Sequence, residues 1–336
     1  MRKTIKLGTR LVGEGEPIFI VAEIANTHEG SADVARVMID RIKSTGVDAV
    51  KFQLHIPEAE MLSSHPKFFT QGKRALSIDA LAGLKKYAES SGLYFLCTPF
   101  SREAADQLEM IGVDAFKIGS GEMTDSSFIK YVAKKNKPMI ISTGMSTWNE
   151  VTDMVDWVES YGTPFMLLHC VSIYPPDYCH LNLGVIPKMK NRYDVPVGLS
   201  DHTAEIFSAI AAVPYGASLI EKHYTLNRSQ IGTSDHKVSL EPHEFSMLVD
   251  GVRKIEKACG SEKRILDEEL AVIEWARHAV VSVKDIPAGS VIEIDAISTK
   301  RPLYDGIPAS DLSLVVGSKA KRDIPNGSLI KWEDLG

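Results

Sequence analysis

Along most of this chain, short unbroken apolar runs alternate with longer stretches whose apolar positions recur every three to four residues. Runs of the first kind read as strands buried on both faces, and stretches of the second kind as amphipathic helices. After a short N-terminal ribbon, IFIVAEI at Ile18–Ile24 is the first clear strand, and a helix follows from Ala32 to Ser44 with Gly46 as its stop. The pattern repeats as DAVKFQ with a helix at Ile78–Ser91, YFLCTPF with one at Arg102–Met110, and AFKIGS with one at Ser126–Lys135. PMIISTG precedes a helix at Trp148–Ser160, and FMLLHCVS leads through an irregular YPPDYCHLNLG to a helix near Ile186–Arg192. PVGLSDHT, a helix-like EIFSAIAAVPYG and SLIEKHYT complete the set, and a last helix spans Pro242–Ala258. Eight strand–helix units over about 240 residues match a (β/α)8 TIM barrel, whose chemistry sits at the carboxyl ends of its strands. An open doubly wound sheet fits less well, because no GxGxxG follows the first strand.

The barrel is expected over residues 1–259, and residues 260–278 turn charged and helical, as a linker does. Residues 279–336 change to short strands with Pro/Gly turns and carry an internal echo, KDIPAGSVIEID at Lys284–Asp295 and RDIPNGSLIKWED at Arg322–Asp334. Two β-turn-β units of this kind make one small β-rich module. A module of that size buries a marginal core, so it is expected to dock on another surface.

Charge narrows the partners. A formal net charge of −6 with no block of like charge argues against a nucleic-acid or anionic-membrane surface. No window is apolar enough for a membrane span, and the basic start lacks the apolar run of a signal peptide. The four cysteines show no metal-type spacing and read as reduced, buried thiols of a cytoplasmic protein.

The carboxyl ends of the strands are polar throughout. They offer Glu23, then Lys51 and Gln53, Thr98, then Lys117, Ser120 and Glu122, Ser142, then Ser172 and Tyr174, and finally Ser200, Asp201, His202, Glu221 and His223. Lys51 and Lys117 with Thr98, Ser120 and Ser142 form a cradle for a phosphate and a carboxylate, and Gly119, Gly121 and Gly144 let backbone amides approach an anion. His202 and His223, at equivalent ends of consecutive strands, suit a first-row divalent cation that polarises a carbonyl. Glu23, Glu122 and Glu221 are candidates for proton transfer or hydroxyl recognition. An anion beside a polarised carbonyl points to carbon–carbon bond formation between a phosphorylated enol and an aldehyde.

AEIANTHEGS, KFQ, CTPFS, KIGSGE, STGM, LHCVSIYP, GLSDHT and IEKHYTL, in this order, resemble the N-acetylneuraminate (sialic acid) synthase family. KDIPAGSVI, KRP and RDIPNGSLI resemble that family's antifreeze-like, or SAF, domain, so the resemblance covers nearly the whole chain. It implies condensation of phosphoenolpyruvate with an N-acetylmannosamine-type sugar to give a nine-carbon 2-keto acid and phosphate. It implies a divalent metal on His202 and His223, manganese above all, with magnesium or cobalt as alternatives. Phosphoenolpyruvate contacts would be Lys51, Gln53, Thr98, Lys117, Ser120 and Ser142, and sugar contacts Glu23, Tyr174, Ser200, Glu221 and Asp235. Glu122 matches the carboxylate that handles the water attacking C2. Arg301, in KRP, matches an arginine that reaches into the partner subunit of a domain-swapped homodimer.

Two departures bear on the sugar. CVSIYP stands where neuraminate synthases often have CTNIYP, so Ser172 replaces an asparagine, and the Leu54–Ala80 segment looks shorter. Acylated 2,4-diamino sugars, leading to legionaminic or pseudaminic acid, are therefore alternatives. Two other readings compete: a Schiff-base aldolase using Lys51, Lys117 or Lys222, and a non-enzymatic sugar- or ice-binding protein. The second leaves the polar ring of the large domain unexplained.

Overall fold

The computed structural model describes residues 3–302 and 306–336, and the chain divides into two compact units, Met1–Gly260 and Ser261–Gly336. In the first, a hairpin of β1 (Thr4–Leu7) and β2 (Arg10–Gly13) precedes eight parallel strands. These are β3 (Phe19–Glu23), β4 (Ala49–Leu54), β5 (Tyr94–Pro99), β6 (Phe116–Ile118), β7 (Met139–Ser142), β8 (Phe165–Cys170), β9 (Val197–Asp201) and β10 (Leu219–His223). Consecutive strands are neighbours, the last, β10, hydrogen-bonds to the first, β3, and β5 and β6 lie side by side at the seam. The sheet thus closes into a TIM-like barrel, as the strand count predicts.

Side-chain alternation sorts each strand into two faces. Ile20, Ala22, Val50, Phe52, Phe95, Cys97, Ile141, Leu167 and Ile220 pack outward against the helices. Phe19, Val21, Ala49, Leu96, Ala115, Ile140, Met166, Leu168 and Leu219 fill the barrel's interior, and Ile5, Leu7 and Val12 of the hairpin join them there. The hairpin therefore plugs the amino-terminal end and leaves the other end open. Gly198 is needed inside the ring, since a Cβ there would lie 2.4 Å from the Leu219 carbonyl oxygen.

The surrounding helices are α1 (Ala32–Ile42), α2 (Pro57–Glu60), α3 (Phe68–Arg74), α4 (Ile78–Ser90), α5 (Arg102–Met110), α6 (Ser126–Ala133), α7 (Trp148–Glu159), α8 (Val185–Tyr193), α9 (Phe207–Ala211) and α10 (Pro242–Ala258). Ser31, Ser77, Ser101, Asp125 and Thr147 cap α1, α4, α5, α6 and α7 by accepting from backbone N–H groups of the first turn. The structure corrects two expectations and adds two short helices. α9 covers only five residues of the expected helix, which stops short of Pro214 and Gly216. α2 and α3 are short helices in a stretch without clear periodicity. Cys179 and Cys259 are exposed rather than buried, one in a short 3-10 turn (Tyr178–His180) and one at a helix end.

In the second unit the helical part of the charged stretch is α11 (Leu270–Ala276), and α12 (Leu312–Val315) lies beyond β11 (Ala279–Ser282) and β12 (Ile297–Lys300). The two sequence echoes pair with each other. Ile286 and Ile324 exchange backbone hydrogen bonds at 2.9 Å each way, Asp323 accepts from Ala288 N–H, and Asp285 accepts from Asn326 N–H. This local symmetry encloses a core of Val280, Ile286, Ile292, Ile307, Ile324 and Ile330.

Candidate active site

Carried one or two residues past the apolar interior, the same alternation turns polar. Glu23, Lys51, Gln53, Thr98, Lys117, Ser142, Cys170, Ser200, Glu221 and His223 are the inward residues nearest the carboxyl ends, and they line one cavity of about 350 Å³. Ser120, Glu122, Ser172, Tyr174 and His202, on the loops after β6, β8 and β9, complete it with Phe100, Met145, Gly119 and Gly121. Of the candidate side chains named from sequence, all but Asp201, Lys222, Asp235 and Arg301 meet in this cavity. Asp235 sits in the loop after β10, where its carboxylate accepts from Asn26 N–H at 3.4 Å. Arg301 belongs to the second unit, exposed, with its guanidinium 5.1 Å over the Trp275 ring.

One side of the cavity is an ion lattice. Lys51 Nζ stands 2.5 Å from Glu23 Oε2 and 2.8 Å from Glu221 Oε2, and Lys117 Nζ lies 3.8 Å from Glu221 Oε1. Lys117 also donates to Ser142 Oγ at 2.6 Å and to the Ile118 carbonyl, and Ser200 Oγ donates to Glu221. Burial works against the charged form of Glu221, but the Lys117 and Lys51 ammonium groups overcome it and hold its carboxyl well below the usual range. Burial pulls Lys51 down to about 7 while Glu221 pulls it upward. With carboxylates touching it on two sides, the ammonium is the form this geometry supports. Gly144 keeps room for two hydroxyls beside this lattice, because a Cβ would lie 2.2 Å from Ser172 Oγ and 2.8 Å from Ser120 Oγ and would displace them.

The two histidines line the same cavity, with ring centroids 5.4 Å apart. His202 Nδ1 donates to the Val171 carbonyl at 2.8 Å, which assigns the lone pair to Nε2, where the Tyr174 hydroxyl donates at 3.0 Å. Burial lowers His202, but Cys170 and the Val171 carbonyl more than offset it, and the net direction is upward. Burial, with His202 beside it, holds His223 neutral far below its ordinary range, and its buried Nδ1 has no hydrogen-bond partner. A neutral imidazole with a free lone pair next to a second imidazole fits a divalent cation. Among the described residues no third His, Cys, Asp or Glu joins them as a ligand set, so substrate oxygens and water would complete the coordination.

Glu122, on the loop after β6, also lines the cavity. Burial pushes its carboxyl up to about 7 against the pull of its own backbone N–H and Lys117, and its buried Oε2 has no partner. Glu23 Oε1 is likewise buried and unpartnered. Buried polar atoms are nearly always satisfied, so three such atoms lining one cavity mark where a polar ligand binds.

Lys222 is not part of this site. Its parity is opposite to that of Glu221 and His223, and its Nζ is fully enclosed behind the sheet by Asp201 at 2.8 Å and by the Thr203 carbonyl and hydroxyl. Thr203 N–H and Ser208 Oγ saturate the rest of Asp201. The Schiff-base reading of Lys222 therefore fails on geometry, and Asp201 is part of the scaffold. Cys170 reads from sequence as a bland buried thiol, yet its inward parity along β8 places it in the cavity. Phe100 and Met145 carry no chemical signal in the sequence.

The whole chain has recognisable relatives. Residues 277–336 match the SAF domain. The chain is 35% identical over 325 residues to the human N-acetylneuraminate-9-phosphate synthase, covering 92% of this chain and 90% of that one. It is 33% identical over 348 residues to the N,N'-diacetyllegionaminic acid synthase of Legionella pneumophila, covering 98% and 97%. The crystal structure of the N-acetylneuraminic acid (sialic acid) synthetase from Leptospira borgpetersenii superposes with a TM-score of 0.76 at 32% identity, over 82% of this chain and 96% of that chain. With residues 38–264 matching its defining model and the polar ring gathered at the barrel's open end, the chain belongs to the NeuB family.

Proposed function

We propose that the protein condenses phosphoenolpyruvate with the open-chain aldehyde of an N-acetylmannosamine-type sugar, forming a nonulosonic (sialic) acid and inorganic phosphate. The observation that carries this reading is a single cavity lined by two buried ammonium groups and two imidazoles. Lys51, Lys117, Ser120, Ser142, Thr98 and Gln53 take the phosphate and carboxylate, and the Gly144 amide, 3.0 Å from Ser120 Oγ, lies beside them. Glu23, Ser200, Glu221 and Tyr174 face the sugar hydroxyls and N-acyl group, with Asp235 nearby in the loop after β10. His202 and His223 would hold a divalent cation, manganese in this reading, which as a Lewis acid polarises the aldehyde carbonyl.

Carbon–carbon bond formation uses the enol π electrons of C3 and leaves C2 as an oxocarbenium. Water adds to C2 and gives up its proton to Glu122, whose elevated pKa suits that exchange near neutral pH. Collapse of the resulting hemiketal phosphate breaks the C2–O bond and expels inorganic phosphate, so one water is consumed for each keto acid formed. The test is phosphate release and product mass over a panel of sugars, with ¹⁸O at the bridging position of phosphoenolpyruvate. Bridging label is expected in phosphate, and label left in the keto acid, or no phosphoenolpyruvate-dependent turnover, overturns the reading.

Ser172 lines the cavity with a side chain shorter than asparagine, which favours keeping a 2,4-diacetamido sugar, the legionaminic or pseudaminic precursor type, in that panel. A cytoplasmic setting, where phosphoenolpyruvate is made, agrees with four free cysteines, and no described helix is long and apolar enough to cross a membrane. A domain-swapped homodimer in which Arg301 serves the partner's sugar site is supported by apolar side chains exposed in the segments that follow the barrel strands, among them Leu62, Phe69, Met145, Ile173 and Ile231. Mixing Arg301→Ala with His223→Ala under subunit exchange tests this. Recovery of up to half the activity per dimer supports a shared site, and no recovery refutes it.

A further inference from the structure

Gln53 faces the anion cradle, and what holds it there lies outside the ligand contacts described so far. The His55 ring, just beyond the end of β4, stacks on Phe100 with centroids 4.1 Å apart and planes at 10°. Its Nε2 is 3.1 Å from Gln53 Oε1, and its Nδ1 is 2.9 and 3.2 Å from the two oxygens of Glu60. Glu60, in α2, and His55 have side chains only 5% and 9% exposed, so both are fixed by their surroundings.

A carboxylate only accepts, so Nδ1 carries a proton. The state of Nε2 then decides which edge of the Gln53 amide faces the cavity. With a proton, Nε2 donates to Oε1 and leaves the NH₂ group to donate into the cavity. Without one, the amide must turn over to donate to Nε2, and its carbonyl oxygen faces the anion. Only the first arrangement attracts a phosphate or carboxylate, and it is the one observed, with Oε1 rather than the amide nitrogen against Nε2.

We propose that Glu60 and His55 are positioning residues that aim the Gln53 NH₂ group at bound phosphoenolpyruvate, an inference that rests on the function proposed above. The test is calorimetric binding of phosphoenolpyruvate to the full chain without sugar, so that turnover plays no part. Glu60→Gln and His55→Phe, the latter keeping the ring stack, are each expected to weaken binding about tenfold, or about 1.4 kcal/mol. In a Gln53→Ala background the same substitutions should have no further effect, whereas a role in anchoring α2 alone would leave their effects additive. Circular dichroism and melting temperature identify any variant that fails to fold, and Glu60→Gln, nearly isosteric, then carries the comparison. Unchanged affinity in the single variants, or additivity in the doubles, overturns the proposal while leaving the function intact. Failure of the wild-type protein to bind phosphoenolpyruvate overturns both.

Discussion

Replacing Glu122 with glutamine tests the electrostatics of the cavity without relying on any substrate. In the native protein burial raises this carboxyl from 4.5 to about 7. At about 1.4 kcal/mol for each pH unit between the two values, ionising it in place costs the fold up to about 3 kcal/mol. The sign follows from proton counting. Between pH 4.5 and 7 the native state keeps a proton that the unfolded chain has released, so stability falls as pH rises through that window and is level above it. Glu122→Gln has no charge to lose and so removes this slope. Relative to wild type, the variant is expected to gain up to about 3 kcal/mol between pH 4.5 and pH 8, while its catalytic turnover collapses. Urea unfolding followed by far-ultraviolet circular dichroism, dominated by the barrel's helices, reads the difference. The same wild-type-to-variant gap at both pH values would show that Glu122 is solvated like a surface carboxylate, and the role assigned to it would lose its physical basis.

Lys117→Met should raise the KM for phosphoenolpyruvate and leave the sugar's KM nearly unchanged, at a cost of about 3 kcal/mol in binding; an unaltered KM would make the lysine a structural strand end. His202→Ala and His223→Ala should each abolish high-affinity Mn²⁺ binding, read by calorimetry or electron paramagnetic resonance, with the fold retained; undiminished binding would place the metal elsewhere. Lys222→Met should strand Asp201 without its counter-charge and destabilise the barrel by about 3–5 kcal/mol in chemical denaturation. Borohydride with a keto substrate should trap no adduct at Lys222, and a trapped adduct there would contradict its enclosure. Gly144→Ala should impair phosphoenolpyruvate binding with little change in melting temperature, since the added methyl meets the hydroxyls of Ser172 and Ser120 rather than backbone.

Much of this protein is written in its local pattern. Continuous apolar runs separated by amphipathic periods name eight strands and most of the helices, because burial on both faces of a parallel strand leaves no polar position to spare. The candidate residues stand out for the same reason, as polar side chains where those runs end. Parity along a strand also separates Glu221 and His223 from Lys222, a distinction available from counting alone, since successive side chains point to opposite faces. Tertiary structure decided which residues meet. Lys51 is flanked by Glu23 and Glu221 only because β10 closes onto β3, and Leu219–His223 pair with Phe19–Glu23 across nearly the whole barrel. The elevated pKa of Glu122, the orientation of the His202 ring between Val171 and Tyr174, and the alignment of Glu60, His55 and Gln53 depend on groups from separate segments enclosing one space. A sequence states which groups are present and which way each strand turns them. Distances of 2.5–3 Å between groups far apart in the chain arise only when the ring closes, and those distances set the charge states on which the chemistry depends.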